Sequence, residues 1–329
     1  MSSQGLEGTE MASDILSIDI GGSSVKVGLF SSKVFEFSRG LSQRLPEVRI
    51  LGRTFAQVKD AVFEAINSAL TNGLSFQSIA ISTSGSVSED GVVISSGHFI
   101  DYERIDWRRL ILPEFQAVAR VNVFNDGKAS AWAEYRYLQG EATASHVHFV
   151  VGTGVGSSVI INGKLIDGDA GEAGFLGHTR VTEDETIVCS CDLHGCLETV
   201  SSGPGLVYEF NKKSPNRISS FEDFQAHLSE GDAYAKQALK AACLHFGTVS
   251  AVIVNALNPR NITFGGGVIL GIRSAFALHG DEEWFLRNVR EKVAHNAFYR
   301  SSNTTAIQFG SLDNDGGLIG AALLATERQ

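Results

Sequence analysis

The sequence predicts an α/β protein built of two similar lobes around a central cleft. The chain of 329 residues contains 35 glycines and only 5 prolines, a composition that suits the tight turns and close backbone approaches of α/β folds. A buried strand, a glycine turn and a second strand occur near the start of the chain and again near residue 150. We therefore expect a diverged duplication whose two glycine turns face each other across the cleft.

Apolar periodicity predicts the elements in order. The first unit has strands at 14–20 and 25–30, joined by a turn at 21–24, and the second has strands at 146–151 and 159–161, joined by a turn at 152–158. Further helices are predicted at about 55–70, 128–137, 221–228, 233–257, 282–296 and 316–326, and further strands at 78–82, 121–124 and 261–264. We place an N-terminal lobe at 1–125 and a C-terminal lobe at 126–315, and expect the terminal segment 316–329 to pack back on the N-terminal lobe.

Charge and hydropathy exclude several classes of function. The chain has 37 acidic and 27 basic residues, a net charge of −10 and no long basic run, which argues against a nucleic-acid or anionic-membrane partner. No stretch approaches about 18 uninterrupted apolar residues, and residues 1–14 are polar, unlike a secretory or transit segment. We expect a cytoplasmic protein.

The first glycine turn carries residues that suit a polyphosphate. Gly21 and Gly22 let backbone N–H groups approach phosphate oxygens, and Ser23 adds a hydroxyl group. Lys26 can supply a point charge, and Asp19 can hold Mg²⁺ through water. An ordinary hairpin turn explains the glycine pair equally simply, so the prediction depends on the second turn.

Two further glycine segments repeat this chemistry. Gly152-Thr153-Gly154-Val155-Gly156 follows the second buried strand as the first turn follows its own. Gly265-Gly266-Gly267 ends a predicted strand, where a flat adenine or ribose can approach the backbone, although a tight strand-to-helix turn also explains it.

Asp126 lies at the junction of a predicted strand and a predicted helix, in Phe124-Asn125-Asp126-Gly127-Lys128. One interpretation is a helix N-cap, for which aspartate is a favoured residue. The other is a catalytic base that takes the proton of an attacking hydroxyl group, a role that requires no strongly raised pKa. In that case Asn125 is free to hydrogen-bond the acceptor.

Three of the four cysteines fall within eight residues and predict a metal site. Cys189, Cys191 and Cys196, with His178 upstream, make a Cys₃His set typical of structural zinc. His194 is an alternative ligand that we interpret as an exposed loop histidine, and three reduced cysteines without a metal are the other alternative. Cys243 lies in an apolar-periodic helix and is predicted to be an inert core thiol.

Taken in this order, these segments resemble the ROK family of sugar kinases and sugar-responsive repressors. The segment 19–26 resembles the family's D-x-G-G-T-x-x-K motif, with Ser23 for threonine, and Asn125-Asp126 resembles its N-D pair. The segment 152–156 resembles its second phosphate motif. The segment 189–198, Cys-Ser-Cys-Asp-Leu-His-Gly-Cys-Leu-Glu, resembles the C-x-C-G-x-x-G-C-x-E zinc signature, and the resemblance extends over about 14–326.

The resemblance implies a duplicated ribonuclease-H-like (actin-like ATPase) fold with ATP bound between the lobes. It implies that Asn125, Asp126, His178 and Glu198 contact the sugar, that Asp126 is the catalytic base, and that His178 also ligates zinc within the segment 178–198. The implied cofactors are ATP, Mg²⁺ and structural Zn²⁺, and the implied assembly is a homodimer.

Departures from the family pattern fall around the acceptor. The family's E-x-G-H is Phe175-Leu176-Gly177-His178 here, so an aromatic ring replaces a carboxylate. Glu172 is a candidate substitute, with a solvated loop residue as the alternative interpretation. The segment 82–87 around Gly85, which resembles the family's proline-glycine segment at the acceptor, lacks the usual proline, and Asp192 replaces a glycine of the zinc signature. We expect an unusual sugar, an amino sugar or a cyclitol as acceptor in preference to glucose.

The leading hypothesis is thus an ATP-dependent kinase that phosphorylates a hydroxyl group of a sugar or sugar-like molecule. The rival hypothesis is a non-catalytic sugar sensor or repressor core with the same cleft. About a dozen residues precede the first predicted strand, too few for a helix-turn-helix, and this favours the kinase.

Overall fold

The computed structural model describes residues 14–31, 41–138 and 144–327. The segment 1–13, which carries most of the prediction that the chain starts without a targeting sequence, and residues 328–329 of the predicted terminal segment lie outside the described residues.

Strands and helices alternate along the described residues. The strands are β1 (Ile15–Ile20), β2 (Ser24–Phe30), β3 (Leu41–Arg44), β4 (Val48–Arg49), β5 (Ser78–Thr83), β6 (Ser86–Val87), β7 (Val93–Ser95), β8 (Arg120–Asn125), β9 (His146–Val151), β10 (Val155–Ile161), β11 (Lys164–Leu165), β12 (Asn261–Gly265) and β13 (Ala306–Phe309). The helices are α1 (Phe55–Thr71), α2 (Trp107–Ile111), α3 (Asp126–Tyr137), α4 (Leu197–Ser201), α5 (Gly203–Lys213), α6 (Phe221–Ser229), α7 (Ala233–Leu257), α8 (Gly267–Ala277), α9 (Trp284–Asn296), α10 (Tyr299–Thr304) and α11 (Gly316–Glu327), and a short 3₁₀ helix spans Leu176–His178.

The two main sheets have the same topology. The first has the order β3-β2-β1-β5-β8, with β4 also paired to β2, and the second has the order β11-β10-β9-β12-β13. In each sheet the first two strands along the chain pair antiparallel, and the central strand pairs parallel with its other neighbour. The edge strands β8 and β13 occupy equivalent positions, and each pairs parallel with the neighbour in its own sheet, β8 with β5 and β13 with β12. This matching order confirms the predicted α/β duplication.

Equivalent helices from the two halves pack against each other between the sheets. Helix α3 follows β8 and contacts β9 and β10, whereas α11 follows β13 and contacts β1 and β5. Their crossing requires small residues, since a Cβ atom at Gly320 would lie 1.7 Å from the carbonyl oxygen of Ala129. The Ser17 hydroxyl group donates to the carbonyl of Leu318 at 2.6 Å, tying α11 to β1. The lobe boundary after Asn125 remains a prediction.

Three apolar cores stabilise this arrangement. One packs α1 and α2 on the N-terminal sheet, a second packs α5 to α9 on the C-terminal sheet, and the third lies between the sheets around α3 and α11. Helix α7 has the length and mean hydropathy of a membrane span, but 61% of its most apolar window is buried inside the protein. Most of its buried apolar residues belong to the C-terminal core, in which Cys243 is fully buried, whereas Leu244 and Val252 are exposed.

Several predicted boundaries differ from the structure, mostly at glycines. Strand β10 begins at Val155, not at residue 159, because Val155 already pairs with Val151 and the turn closes through a Gly152 N–H bond to the Gly154 carbonyl. Helix α9 begins at Trp284, two residues later than predicted. Helix α8 was not among the predicted helices, although a strand-to-helix turn was one of the two interpretations of residues 265–267. Helix α5, which Ser202 caps and which has proline in its first turn, was not predicted either.

Candidate active site

A cleft with a cavity of about 380 Å³ lies between the two lobes, at the ends of β1, β8 and β9. Most of the predicted site residues line it: Asp19, Gly21, Gly22, Ser23, Lys26, Gly85, Asn125, Asp126, Gly152, Thr153, Gly154, His178, Glu198, Gly266 and Gly267. Two of the predicted nucleotide and acceptor residues do not line it. Glu172 is exposed on a loop outside the lining, and Gly265 is turned toward the buried ring of His148. The predicted metal ligands Cys189, Cys191 and Cys196 also lie outside the lining.

The two glycine turns face each other across this cleft. A Cβ atom at Gly22 would lie 3.4 Å from the hydroxyl oxygen of Thr153, so the first turn approaches the second to van der Waals distance. Glycine at position 22 keeps backbone N–H groups accessible on one wall, and Thr153 is exposed on the other. Such opposed turns are suited to a chain of phosphate groups.

Asp19 and Lys26 lie on adjacent strands at the floor of the cleft. The Lys26 ammonium is 3.4 Å from the Asp19 carboxylate and donates to the carbonyl of Asn314 at 2.8 Å. A Cβ atom at Gly317 would lie 2.6 Å from Asp19 Oδ1, so the start of α11 also lies against this carboxylate. A largely buried carboxylate beside the phosphate turns is a suitable ligand for Mg²⁺.

The segment that leads into α11 and the first residues of that helix were not predicted as site residues. Asp313, Asn314, Gly316 and Gly317 all line the cleft. The available signal was the run Asp-Asn-Asp-Gly-Gly across the start of a predicted helix, where polar side chains and close backbone approach are both common. His98 was missed as well, because nothing local marks it as a cleft residue.

Asn125, not Asp126, is the N-cap of α3. The Asn125 Oδ1 atom accepts the backbone N–H of Lys128 at 3.0 Å, and its Nδ2 atom donates to the Gly85 carbonyl at 2.9 Å. The cap interpretation of Asp126 is therefore wrong. The Asp126 carboxylate lines the cleft. It accepts a hydrogen bond from the Gly127 N–H at 2.7 Å and another from the Asn125 Nδ2 atom at 3.2 Å.

The pKa of the Asp126 carboxyl group lies well above the ordinary range of aspartate. Burial raises its pKa to about 7, helped by the negative charges of Asp19 and Glu198, while the backbone N–H bonds partly oppose the rise. The role of base does not require a strongly raised pKa, so the size of this shift follows from the structure alone. A carboxyl group with this pKa takes up and releases protons readily near neutrality.

The predicted zinc ligands come together in space. The donor atoms of His178, Cys189, Cys191 and Cys196 all lie within 4.8 Å of one another. Cys191 Sγ is 3.7 Å from Cys196 Sγ, and a tetrahedral zinc ion with bonds of about 2.3 Å separates two sulfurs by about 3.7 Å. Burial and the neighbouring cysteines raise the pKa of the Cys196 thiol, an unfavourable setting for thiolates unless a cation is bound. The residues fit a zinc ion.

Glu198 joins this cluster to the second glycine turn. Its Oε2 atom accepts the N–H of Val155 at 2.9 Å, and its Oε1 atom accepts the Ser190 hydroxyl group at 3.0 Å. Its position in the first turn of α4 follows directly from Cys196, the N-cap of that helix. The cysteine cluster therefore positions a carboxylate and His178 on the same wall of the cleft.

One aromatic residue, Phe175, forms part of the cleft wall beside His178. The Phe175 ring lines the cleft with its centroid 6.3 Å from that of His178. Across the cleft, a Cβ atom at Gly97 would lie 2.5 Å from the Ser190 Cβ, so the loop after β7 touches the cysteine segment.

Comparison with known proteins places this arrangement in a family. The family description "ROK family" matches residues 15–328. The chain belongs to the ROK family. An N-acetylmannosamine kinase of Escherichia coli is 27% identical over 317 residues, covering 94% of this chain and 97% of that protein. A glucokinase of Halalkalibacterium halodurans is 26% identical over 257 residues, covering 72% and 74%.

Solved structures of other ROK proteins have the same fold. A ROK family glucokinase from Streptomyces griseus, crystallised with glucose and AMPPNP, aligns with a TM-score of 0.79 at 22% identity over 95% of this chain and 99% of that chain. A ROK family transcriptional regulator, a homologue of the E. coli MLC protein, aligns with a TM-score of 0.74 at 22% identity over 96% of this chain and 78% of the regulator. The duplicated actin-like fold is thereby confirmed.

Proposed function

We propose that this ROK protein is an ATP-dependent kinase that phosphorylates a hydroxyl group of a sugar, an amino sugar or a cyclitol. The carbohydrate kinase class rests on the family and on relatives that are N-acetylmannosamine kinases and glucokinases. The observation that supports the specific mechanism is the Asp126 carboxylate, which lines the cleft near the opposed glycine turns and the polar wall of Asn125, His178 and Glu198.

The chain supplies phosphate contacts on one side of Asp126 and acceptor contacts on the other. Backbone N–H groups around Gly22 and Gly154, with the Ser23 and Thr153 hydroxyl groups, bind the phosphates of ATP, and Gly266-Gly267 lies beside the nucleoside. Mg²⁺ held through Asp19 would neutralise charge on the β- and γ-phosphates. Asn125, His178 and Glu198 hold the acceptor hydroxyl groups.

Asp126 accepts the proton of the acceptor's hydroxyl group while the hydroxyl oxygen bonds to the γ-phosphorus of ATP. The bond between that phosphorus and the oxygen of the leaving ADP breaks in the same step. The Asn125 amide and the Gly127 N–H hold the carboxylate in place. Contacts between the lobes, such as Gly97 with Ser190, exclude the water that would otherwise compete as an acceptor.

Phe175 narrows the class of acceptor. An aromatic face accepts no ordinary hydrogen bond from a hydroxyl group, so an acceptor hydroxyl pointing at it would lose its partner in water. An acceptor with a C–H face or an N-acyl methyl group at that wall suits the ring better. We therefore propose that an N-acylated amino sugar is preferred to glucose.

A coupled assay of ADP release from Mg-ATP, run across hexoses, N-acetylated and free amino sugars and cyclitols, tests this function. We expect an N-acetylated hexosamine to stimulate release about 5- to 150-fold more than glucose, because a buried unpaired hydroxyl group costs about 1–3 kcal/mol. Binding of sugars without any turnover would instead support the rival sensor hypothesis. Stimulation by glucose alone would leave the kinase intact and contradict the role given to Phe175.

The pH dependence of kcat/KM is a second expected result. A base must be unprotonated to act, and the free carboxyl group of Asp126 has its pKa raised to about 7. We expect kcat/KM for the acceptor to be half-maximal near pH 7 and to fall about tenfold per unit at lower pH. Initial rates measured from pH 5 to 9 at fixed ionic strength check this. An acidic limb near pH 4, the ordinary range of aspartate, would contradict the tuning.

A cytoplasmic location and a homodimer complete the proposal, both as expectations from the sequence and the family resemblance. Size-exclusion chromatography with light scattering measures the second of these directly.

A further inference from the structure

Lys128 is a buried cation beside the proposed catalytic base, and the mechanism above does not use it. It is the third residue of α3 and is only 8% exposed. A positive charge near a helix N-terminus opposes the helix dipole, and burial of an ammonium group is costly unless it is paired. A lysine at this position therefore needs compensating contacts.

Those contacts come from the segment 166–175, which we call the acceptor loop. The Lys128 ammonium donates to the carbonyl of Gly171 at 2.8 Å and forms an ion pair with Asp167. Asp167 is itself largely exposed, whereas the lysine is not. The loop therefore supplies Asp167 as the ion-pair partner of the buried Lys128 ammonium, which belongs to α3, the helix that begins at Asp126.

The acceptor loop is tightly wound and ends in the cleft. Gly168, Gly171 and Gly174 have φ values of 67°, 76° and 87°, and the Ala173 N–H donates to the Asp167 carbonyl at 3.0 Å. At the far end, the Ser157 hydroxyl group donates to the Gly174 carbonyl at 2.6 Å. Lys128 holds the first half of the loop and Ser157 holds the second.

The residues that follow the Lys128 and Ser157 contacts belong to the proposed acceptor pocket. Phe175 ends the loop and lines the cleft, and His178 lies one turn later. Gly171 also approaches the N-terminal lobe, because a Cβ atom there would lie 3.3 Å from the Val87 carbonyl oxygen. Lys128 thus sits where the helix of Asp126, the acceptor loop and a strand of the other lobe meet.

We propose that Lys128 is a positioning residue that fixes the acceptor loop to the helix of the catalytic base, and so sets the distance between Asp126 and the Phe175 wall. This inference rests on the proposed function. Loss of the Lys128 ammonium frees the first half of the loop while the glycine turns, which belong to other segments, keep their places. Acceptor binding is weakened and ATP binding is retained.

The test compares Lys128→Met, which keeps the aliphatic length but loses the charge and the donors, with Lys128→Arg and with Lys164→Met as a matched control. Lys164 is an exposed lysine on β11, two residues before the loop. We expect Lys128→Met to raise the KM for the acceptor about tenfold, the effect of losing a hydrogen bond to a charged group, with the KM for ATP changed less than twofold. Lys128→Arg recovers most of this loss, and Lys164→Met behaves as wild type.

Hydrogen exchange gives a second readout that does not depend on turnover. We expect backbone amides of 166–178 to exchange faster in Lys128→Met than in wild type, with those of 19–26 unchanged. If Lys128→Met does not fold, Asp167→Asn, which changes only the exposed partner, is expected to produce a smaller shift in the same direction.

An unchanged acceptor KM, or equal increases for acceptor and ATP, would overturn the positioning role. If no acceptor is turned over by the wild-type protein, the proposed function fails, and the exchange measurement still decides whether Lys128 holds the loop.

Discussion

Replacement of Asp126 by asparagine is expected to lower kcat by about 100- to 10,000-fold, the usual contribution of a general base. The amide has the same size and keeps an oxygen for the Gly127 N–H, which lies 2.7 Å away in the wild-type protein. It cannot accept the proton of the acceptor. The geometry of the cleft is therefore retained while the proton has no acceptor in the transition state.

Two measurements separate this effect from unfolding or lost binding. Calorimetric titration with Mg-ATP and with the acceptor is expected to give dissociation constants within severalfold of wild type. Asp90→Asn, an exposed aspartate in the turn between β6 and β7, is the matched control and is expected to keep full activity. An Asp126→Asn variant that retains more than a tenth of wild-type kcat would exclude Asp126 as the base.

Substitution of Cys196 by serine is expected to remove zinc from the purified protein and to weaken acceptor binding by about 10- to 100-fold. Cys196 is a proposed zinc ligand and also the N-cap of α4, whose second residue is Glu198. The variant lacks one of the four donor atoms that lie together, so it is expected to lose the metal, and with it the bond that would orient His178. The nucleotide side of the cleft is formed by other segments and is expected to keep its affinity.

Metal content by mass spectrometry, thermal unfolding with and without a chelator, and separate KM values for acceptor and ATP measure these effects. Cys243→Ala is the control, because this thiol is buried in α7 away from the cluster and its loss leaves all four ligands in place. We expect this control to retain one zinc ion per chain with a modest loss of stability. Wild-type protein that folds without zinc and is unaffected by chelation would refute the site.

Local sequence patterns predicted much of the candidate site, because most of its residues lie in short segments of the chain. The three cysteines within eight residues predicted a cluster that the fold completes with His178. The paired strand–glycine–strand units predicted the duplication, since each half has a continuously buried strand that a glycine turn joins to a second strand. Helix α7 was predicted at its observed bounds because its long apolar periodicity has few competing interpretations.

Local sequence patterns did not decide between two roles where the same residues are suited to both. Asn125 and Asp126 are both good cap residues, and only the hydrogen bond from the Lys128 N–H to Asn125 Oδ1 shows which of them caps the helix. The segment Gly265–Gly267 was open between a turn and a ligand contact. In the structure Gly266 and Gly267 line the cleft and start α8, whereas Gly265 faces the protein interior.

By itself, the sequence determined the α/β duplication, the phosphate-type turns, the cysteine cluster and the family resemblance, because each is written in residues close together along the chain. Only the tertiary structure decided which side chains meet. The contacts of Lys26 with Asn314 and of Lys128 with Gly171 join distant segments, and the raised pKa of Asp126 depends on burial and on Asp19. Such contacts and fields follow from how helices and sheets pack in three dimensions, and periodicity along one chain does not specify that packing.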